Sequence, residues 1–561
     1  MADFPIVVGI NRTKDGSIAV AVGESGMYGL QKERVSRRKH HWGRLGDLPD
    51  CYLPAMPLLK EPVDLVVEGY SSDTEIEHVG AYQEEARETL GLKGGAPIVL
   101  VSHHLTHLYS AFYPSPFEQA AGLVIDARGS RVRDFTEHAP LPAGTGGDLL
   151  EVASFYRCSR GRIECLAKQV WDGDWDRPAG LGCFYTLLTR MVWSEGEGNE
   201  AKVADLAAFG DPDALGLPDL DVRGHEVHIP PAWLRTFGRH DVFVYEPGGE
   251  EFRRAANLAA AGQRAFERAL ARVVAWLHTE TGLDTLAFAG GAALNCAANG
   301  RLLRESPFRE VYVPPAPHDG GTAVGCVLYG LVACLGADSR FRWTDDFLGP
   351  VPDGSEIEAA VRALPDGLYA ERPDDLAGEV AALLDSGRVV GLHQGRSESG
   401  PRALGNRSIL ADPRNPDMQD YINFEVKGRE WFRPLASLVP AEHAGDVFDV
   451  AGPAPFGQYA ADVHPEFRDR LPGITHVDGT SAPQTVEPER SPFLHALLSR
   501  WHARAGTPVL INTSLNRSGE PLTETPDHSI ETLRQSGMHA LAMPPYLIRK
   551  RAEPPLPGPP A

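Results

Sequence analysis

PIVVGINRTKDGSIAVAV, residues 5–22, reads as a strand, a polar turn and a second strand. Residues 5–10 and 17–22 are β-rich and flank a polar turn at 11–16, which predicts a hairpin whose tip can face a bound phosphate or acyl group. Residues 65–68 and 97–101 are short apolar runs of the kind buried in parallel sheets, and residues 122–126 open another strand and turn. This repeated strand-turn-strand pattern predicts two related α/β lobes with a cleft between them.

The run at 97–101 leads directly into HHLTH, residues 103–107. On a helix, His103 and His107 stand one turn apart on one face, so both imidazoles can reach one metal ion. Two carboxylates lie at strand ends, where open α/β sheets gather ligands. Asp126 closes the apolar run 122–125, and Asp319 sits in the turn 314–321 after strand-like residues 310–313. Two His and two Asp suit iron, manganese or zinc better than calcium or magnesium. Further on, residues 255–281 form a long amphipathic helical pattern ended by Gly282, and residues 286–289 a strand. Gly290 and Gly291 then precede a helix over 292–299, a juncture where backbone amides can meet a nucleotide. Asn295 belongs to that juncture. Lys202, after the acidic turn 195–200, is another candidate contact, although a lone lysine by itself reads as a surface residue.

At 561 residues the chain is too long for one core, and about 150 residues per domain implies three to four folding units. A formal charge of −22 argues against a large nucleic-acid footprint, which needs clustered Lys and Arg. Seven cysteines without a Cys-x-x-Cys pair fit core thiols in a reducing cytosol. No run approaches the roughly 20 apolar residues that span a bilayer, and no secretory signal opens the chain, so the expectation is a soluble cytoplasmic protein. The charge run containing Lys32, Glu33, Arg34, Arg37, Arg38 and Lys39 reads by itself as a solvated face.

Residues 337–373 read as a linker carrying one short helix at 355–363, and a second domain is expected from about Asp374, with a helix at 376–386 and a strand at 389–393. The segment GRSESGPRALGNRSIL, residues 395–410, sets Arg396, Arg402 and Arg407 among glycines, and VKGREWFRP adds Lys427, Arg429 and Arg433. Guanidinium groups with nearby backbone amides make an anion cradle; the structural alternative is pairing with Asp412, Glu425 and Glu430. A strand at 508–511, a polar turn at 512–519 with Asn512 and Ser514, a helix from Asp527, and a Pro-rich disordered tail over 551–561 complete the expectation.

In this order, HHLTH, FAGGAALNCAANG, PPAPHDGGTAVG, GRSESGPRALGNRSILADPRNP, VKGREWFRP, HVDGT and VLINTSLNRSGEP resemble the O-carbamoyltransferases of nodulation-factor and antibiotic biosynthesis. The resemblance implies an α/β fold: a two-lobed actin-like ATPase (ASKHA) domain over residues 1–336, similar to the tRNA threonylcarbamoyl-transfer subunit, and an α/β YrdC-like domain over 374–550, similar to enzymes forming threonylcarbamoyl-adenylate. It further implies that carbamoyl phosphate and ATP give carbamoyl-adenylate in the second domain, and that the first passes the carbamoyl group to a hydroxyl or amine of a small natural product. Matching motifs place Arg402, Lys427, Arg433 and Ser514 around carbamoyl phosphate and ATP, with Asn512 beside them. They place His103, His107, Asp126 and Asp319 on a divalent metal, Fe(II) foremost with Mn or Zn as alternatives, and Lys39 near acyl transfer; Mg would accompany ATP. No nucleic-acid or membrane partner is implied. The chain departs from the family pattern at Lys14, Ala127, Ser130, Ala204, Asp205 and Ala482; Lys14 stands where a His is common and becomes a candidate catalytic group.

Overall fold

The computed structural model describes residues 4–558 except 73–77, 142–144, 146, 194–197, 238–247, 351–352 and 451. The chain divides into two compact units, Met1–Lys32 with His40–Trp343, and Glu33–Lys39 with Thr344–Ala561.

In the first unit the strands β1 (Val7–Asn11), β2 (Ser17–Val22), β3 (Gly26–Gln31), β4 (Leu65–Tyr70) and β5 (Ile98–Ser102) form a sheet of order β3-β2-β1-β4-β5. The first three strands run antiparallel, and β4 and β5 join parallel on the far side of β1. A second sheet repeats this arrangement. There β6 (Gln119–Ile125), β7 (Leu150–Ser159) and β8 (Arg162–Trp171) make the antiparallel meander, a small hairpin of β9 (Asp221–Arg223) and β10 (Glu226–His228) intervenes, and β11 (Thr285–Ala289) and β12 (Glu310–Tyr312) add parallel to β6. The duplicated strand order is the two-lobed actin-like plan expected from the sequence. The amphipathic pattern ended by Gly282 is a helix over Glu250–Thr281, with Gly282 in the left-handed region at φ 65.

Two helices bring the lobes' central elements together. His103–Phe112 is buried along its whole length, and Thr322–Tyr329 packs beside it. At their closest approach Gly325 lies against the Thr106 backbone, where a Cβ would come within 1.9 Å of the Thr106 carbonyl oxygen. The first amides of the His helix are held from outside it. Ser130 Oγ accepts from His103 N at 2.8 Å and Glu151 Oε1 from His104 N at 3.0 Å, which satisfies donors that a helix start leaves open and sets a negative charge at the positive end of the helix dipole. Glu151 is itself buried and paired with buried Lys168 at 2.5 Å, and Lys168 also meets Glu137 at 2.7 Å.

The second unit carries an eight-stranded mixed sheet. Its strands are β13 (Leu368–Glu371), β14 (Val390–His393), β15 (Arg407–Ala411), β16 (Ala436–Pro440), β19 (Pro483–Val486), β20 (Leu510–Ser514), β21 (Ala540–Met543) and β22 (Tyr546–Lys550), with a separate short pair β17 (Ala461–Asp462) and β18 (Thr480–Ser481). The sheet order is β13-β22-β21-β14-β15-β20-β16-β19. Ile409 and Ile511 pack into one apolar cluster and Leu410 and Leu510 into another, as the two-residue period of a strand covered on both faces requires.

Three expectations change. Because β13 pairs with β22, the unit begins at Thr344 rather than near Asp374, and residues 344–373 are not a bare linker. The charge run is a solvated face only at its end, where Arg38 and Lys39 are exposed. Lys32 and Arg34 are buried, Lys32 Nζ paired with Asp47 at 2.6 Å in the first unit, while the guanidiniums of Arg34 and Arg37 donate to the carbonyls of Gly400 and of Pro521 and Leu522 in the second. In the Pro-rich tail, Glu553 pairs with Arg388 at 2.6 Å; residues 559–561 lie outside the described residues. Among the described residues no helix is long and apolar enough to cross a membrane.

Two substitutions test these supports. Gly325→Ala should cost about 3 kcal/mol, since the added methyl meets backbone that cannot rotate away; an unchanged urea midpoint would show that the helices can separate freely. Lys168→Met leaves the Glu151 carboxylate buried without its cation and should cost about 3–5 kcal/mol, and the double variant Lys168→Met/Glu151→Gln should recover much of that loss. No recovery in urea unfolding would mean that Lys168 acts by packing rather than charge.

Candidate functional site

The strongest chemical constellation is in the first unit. His103 and His107 project from the buried helix, Asp126 follows the last residue of β6, and Asp319 opens the turn before Thr322–Tyr329. Their donor atoms converge. The two Nε2 atoms are 3.2 Å apart; His103 Nε2 lies 3.5 Å from Asp126 Oδ2 and 3.4 Å from Asp319 Oδ1, and His107 Nε2 lies 3.3 and 3.6 Å from the same two oxygens. Each carboxylate is anchored through its other oxygen, Asp126 Oδ1 by Ala127 N at 2.7 Å and Asp319 Oδ2 by Thr13 Oγ1 at 3.3 Å. Asn11 Nδ2 holds the Asp319 carbonyl at 3.0 Å and also donates to the carbonyls of Lys14 and Asp15, which fixes the hairpin tip beside the set.

This donor set fits a first-row metal ion. Four ligands about 2.1 Å from one ion stand about 3.4 Å apart when tetrahedral, close to the spacings found here. Two neutral rings in opposite tautomers can share one hydrogen bond between the facing Nε2 atoms, and with hydrogen on both Nδ1 atoms the two Nε2 lone pairs converge as ligands for one cation. Buried Asp126 Oδ2 has no hydrogen-bond partner among the described residues. Burial disfavours charge on every member, yet the Asp319 charge and the close approach of both carboxylates hold His103 well above the usual imidazole range, and His103 and His107 hold Asp319 well below the usual carboxylate range. The neighbouring His104 behaves oppositely: burial pushes it down to about 3, and its Nδ1 lies 2.8 Å from Ser154 Oγ, so it is a neutral packing group.

Other residues singled out in this unit make local contacts. Gly290 has φ 94, and a Cβ there would meet the Ile125 carbonyl at 2.2 Å, so it permits close packing of β11 on β6. A 3-10 turn over Gly291–Leu294 replaces the first part of the expected helix, which starts at Cys296. Asn295 caps that helix, accepting from Ala298 N, and its amide is exchanged with that of Gln263. Lys202 stands 4.3 Å over the Trp193 ring, while residues 195–197 of the acidic turn lie outside the described residues. Lys14 is half-buried at the hairpin tip. Ser130, a departure from the family pattern, is the residue that caps the His helix.

In the second unit Lys427 is the centre. Its buried Nζ donates to Ser514 O at 2.5 Å, Ser514 Oγ at 3.1 Å and Asn516 Oδ1 at 2.7 Å, and Ser514 Oγ donates to Asn516 Oδ1 at 2.5 Å. None of these acceptors is a carboxylate. Burial, with Arg429, Lys39 and Arg433 nearby, pushes the ammonium well below the usual lysine range, an environment that an added anion would relieve. Asn516 escaped sequence reading because a polar turn gives no sign of which amide points inward. Asn512 Nδ2 donates to Ala403 O and to Gln484 Oε1.

The expected arginine cradle is only partly available for an anion. Arg396 donates to the carbonyls of Leu348 and Gly349, and buried Arg407 to those of Gln394, Gly395, Asn406 and Glu524. Both are therefore struts of the loop, and neither pairs with Asp412, Glu425 or Glu430; Asp412 is taken by Arg414. Arg402 and Arg433 are partly exposed.

Comparison with known proteins gives these centres a common context. The model of the carbamoyltransferase N-terminus matches residues 73–328, and that of the carbamoyltransferase C-terminus matches residues 381–550. Nodulation protein NolO of Bradyrhizobium diazoefficiens is 34% identical over 80% of this chain and 79% of its own length. Nodulation protein NolNO of Sinorhizobium fredii is 34% identical over 82% of this chain and 65% of its own. Among solved structures, HypF of T. kodakarensis aligns over 60% of this chain and 49% of its own at 14% identity and a TM-score of 0.39, so the fold rests on the strand order described above rather than on that likeness. With matches to both halves in the proper order and relatives of this identity along most of its length, the chain belongs to the carbamoyltransferase family.

Proposed function

We propose that this carbamoyltransferase works in two steps: in the second unit water releases inorganic phosphate from carbamoyl phosphate and the resulting carbamate displaces pyrophosphate from ATP to give carbamoyl-adenylate, and in the first the carbamoyl group passes to a hydroxyl or amine of a small natural product as AMP leaves. The observation that carries the reading is Lys427, a buried cation held only by neutral oxygens inside the segment matched by the carbamoyltransferase C-terminus. A phosphate supplies the missing negative charge, and Arg402 and Arg433 add guanidiniums that can grip it bidentately. Lys427 and Ser514, prepositioned by Asn516, would offset charge on the phosphates as pyrophosphate leaves.

In the first unit His103, His107, Asp126 and Asp319 would hold a divalent ion, iron, manganese or zinc by donor type. When bound, such an ion supplies Lewis acidity toward phosphate or carbonyl oxygens. The chain's own contribution is to hold the two carboxylates through Ala127 and Thr13, and Lys14 at the hairpin tip would add a charge toward the transferred group. Nucleotide contacts from Lys202, Gly291 and Asn512 and a cytoplasmic location belong to this reading, as does the absence of nucleic-acid and membrane partners. A second reading, the same two-step plan with a different acyl donor or acceptor, is favoured by Lys14 and by Ala482, which offers a methyl where the family pattern has a guanidinium.

Two measurements test the proposal. Pyrophosphate exchange into ATP that depends on carbamoyl phosphate should fall at least about tenfold in Lys427→Met and in Arg402→Ala, the scale of a lost charged contact of about 1.5–3 kcal/mol, with thermal melting nearly unchanged. Exchange that survives in both would remove adenylate formation from this unit. Elemental analysis should find one metal per chain in the wild type and nearly none in His107→Ala or Asp319→Ala, and equal content in all three would eliminate the assigned site.

A further inference from the structure

Residues Glu33–Lys39 belong to the second unit although they lie near the start of the sequence. Their short helix, Lys32–Ser36, ends at Arg37, whose backbone is left-handed at φ 58. A side chain is strained in that conformation and stays there only where contacts hold it. Here the guanidinium supplies the hold. Arg37 Nη1 donates to Leu522 O at 2.5 Å and Nη2 to Pro521 O at 2.9 Å, so one planar fork spans two consecutive carbonyls. Pro521 and Leu522 are buried, and a buried carbonyl needs a donor.

Those two carbonyls stand at the base of the loop that orients the partners of Lys427. The loop leaves β20 at Ser514 and closes where Thr523 N donates to Leu515 O at 3.1 Å, and on its way Ser518 N donates to Lys427 O at 2.8 Å. Its tip, Arg517 to Gly519, is exposed, with Gly519 at φ 78, so the tip has no packing to fix it. Inside the loop Asn516 Nδ2 donates to Glu520 O at 2.5 Å. A carbonyl only accepts, so this bond decides which way the Asn516 amide faces. Its Oδ1 is thereby turned to Lys427 Nζ at 2.7 Å and Ser514 Oγ at 2.5 Å. The reversed amide would set its own N–H groups against the ammonium. Glu520 O and the first clasped carbonyl are joined through Pro521 alone, whose ring locks φ, so holding the second leaves the first little freedom.

We propose that Arg37 is a positioning residue of the anion site, fixing the Glu520 carbonyl through Pro521 and, through that carbonyl, the Asn516 amide that keeps Lys427 and Ser514 directed at a phosphate. This deepens the reading of Lys427 as a phosphate contact and rests on it. Arg37 itself does not touch the anion, because the carbonyls occupy its fork. Arg396 and Arg407 are struts of the same kind, but they brace the glycine-rich loop, whereas Arg37 reaches the loop that sets the lysine's partners.

Pyrophosphate binding to the full chain, followed by calorimetry, reads the anion site without turnover. Arg37→Gly removes the fork while suiting the left-handed backbone, and it should weaken binding about tenfold. Arg37→Lys keeps the charge but cannot span two carbonyls, and should weaken binding to a similar extent. Asn516→Ala should cost about tenfold as well, and the double variant Arg37→Gly/Asn516→Ala about tenfold rather than a hundredfold, since both changes remove one orientation. Full affinity in Arg37→Lys or Arg37→Gly, losses that multiply in the double variant, or a wild type that binds no pyrophosphate would each overturn the proposal. Carbamoyl-phosphate-dependent pyrophosphate exchange is measured alongside. Its absence in a wild type that still binds pyrophosphate sinks the two-step reading alone, and the binding series then decides the role of Arg37.

Discussion

Everything in the first unit's centre depends on the approach of two helices at Gly325 and Thr106. Thr106 lies inside the single turn that separates His103 from His107, and Gly325 lies in the helix that directly follows the turn opened by Asp319. With backbone against side-chain-free backbone, the imidazoles and the Asp319 carboxylate come from elements that cannot slide without breaking close-packed contact. Metal–ligand distances tolerate only about 0.2 Å. A site assembled from two lobes therefore needs a rigid seam, and glycine supplies it by removing a side chain rather than adding a bond.

Around that seam the protein spends buried charge. Arg12, at the hairpin tip, meets Glu68 at 3.2 Å and Glu85 at 3.0 Å, and Tyr70 donates to Glu68 at 2.7 Å. Lys168 meets Glu151 and Glu137 on the other lobe. Burying ions is expensive, and a well-packed apolar core would often be as stable. What these clusters provide is direction. Arg12 fixes the tip carrying Thr13 and Asp15, and Glu151 fixes the amides that begin the His helix.

The lobes, the His pair and its two carboxylates were legible because they rest on local pattern: alternation, helical spacing, and Asp at the ends of apolar runs. The two-lobed plan followed from one repeated strand-turn unit. What escaped depends on tertiary contacts that composition does not encode. Arg396 and Arg407 look like anion ligands in a glycine-rich loop, yet their guanidiniums are consumed by carbonyls brought from distant segments. Gly290 has a packing reason that the sequence did not show, since the Ile125 carbonyl occupies the space a side chain would need. The charge run at 32–39 could not reveal its burial, because its partners Asp47, Gly400, Pro521 and Leu522 are scattered along the chain.

The two centres have opposite electrostatic needs, and this makes their division of labour physically coherent. Carboxylates and imidazoles converge in the first unit, so its set is relieved by a cation. In the second, a buried ammonium sits among neutral oxygens with further cations nearby, so it is relieved by an anion. A single site serving both would neutralise itself, its carboxylates pairing with Lys427 and its arginines before any ligand arrived. Such internal pairing already happens to Arg414, which Asp412 and Asp385 occupy. Keeping the two sets in separate folding units preserves each as a binding surface, one suited to a cation and the other to an anion.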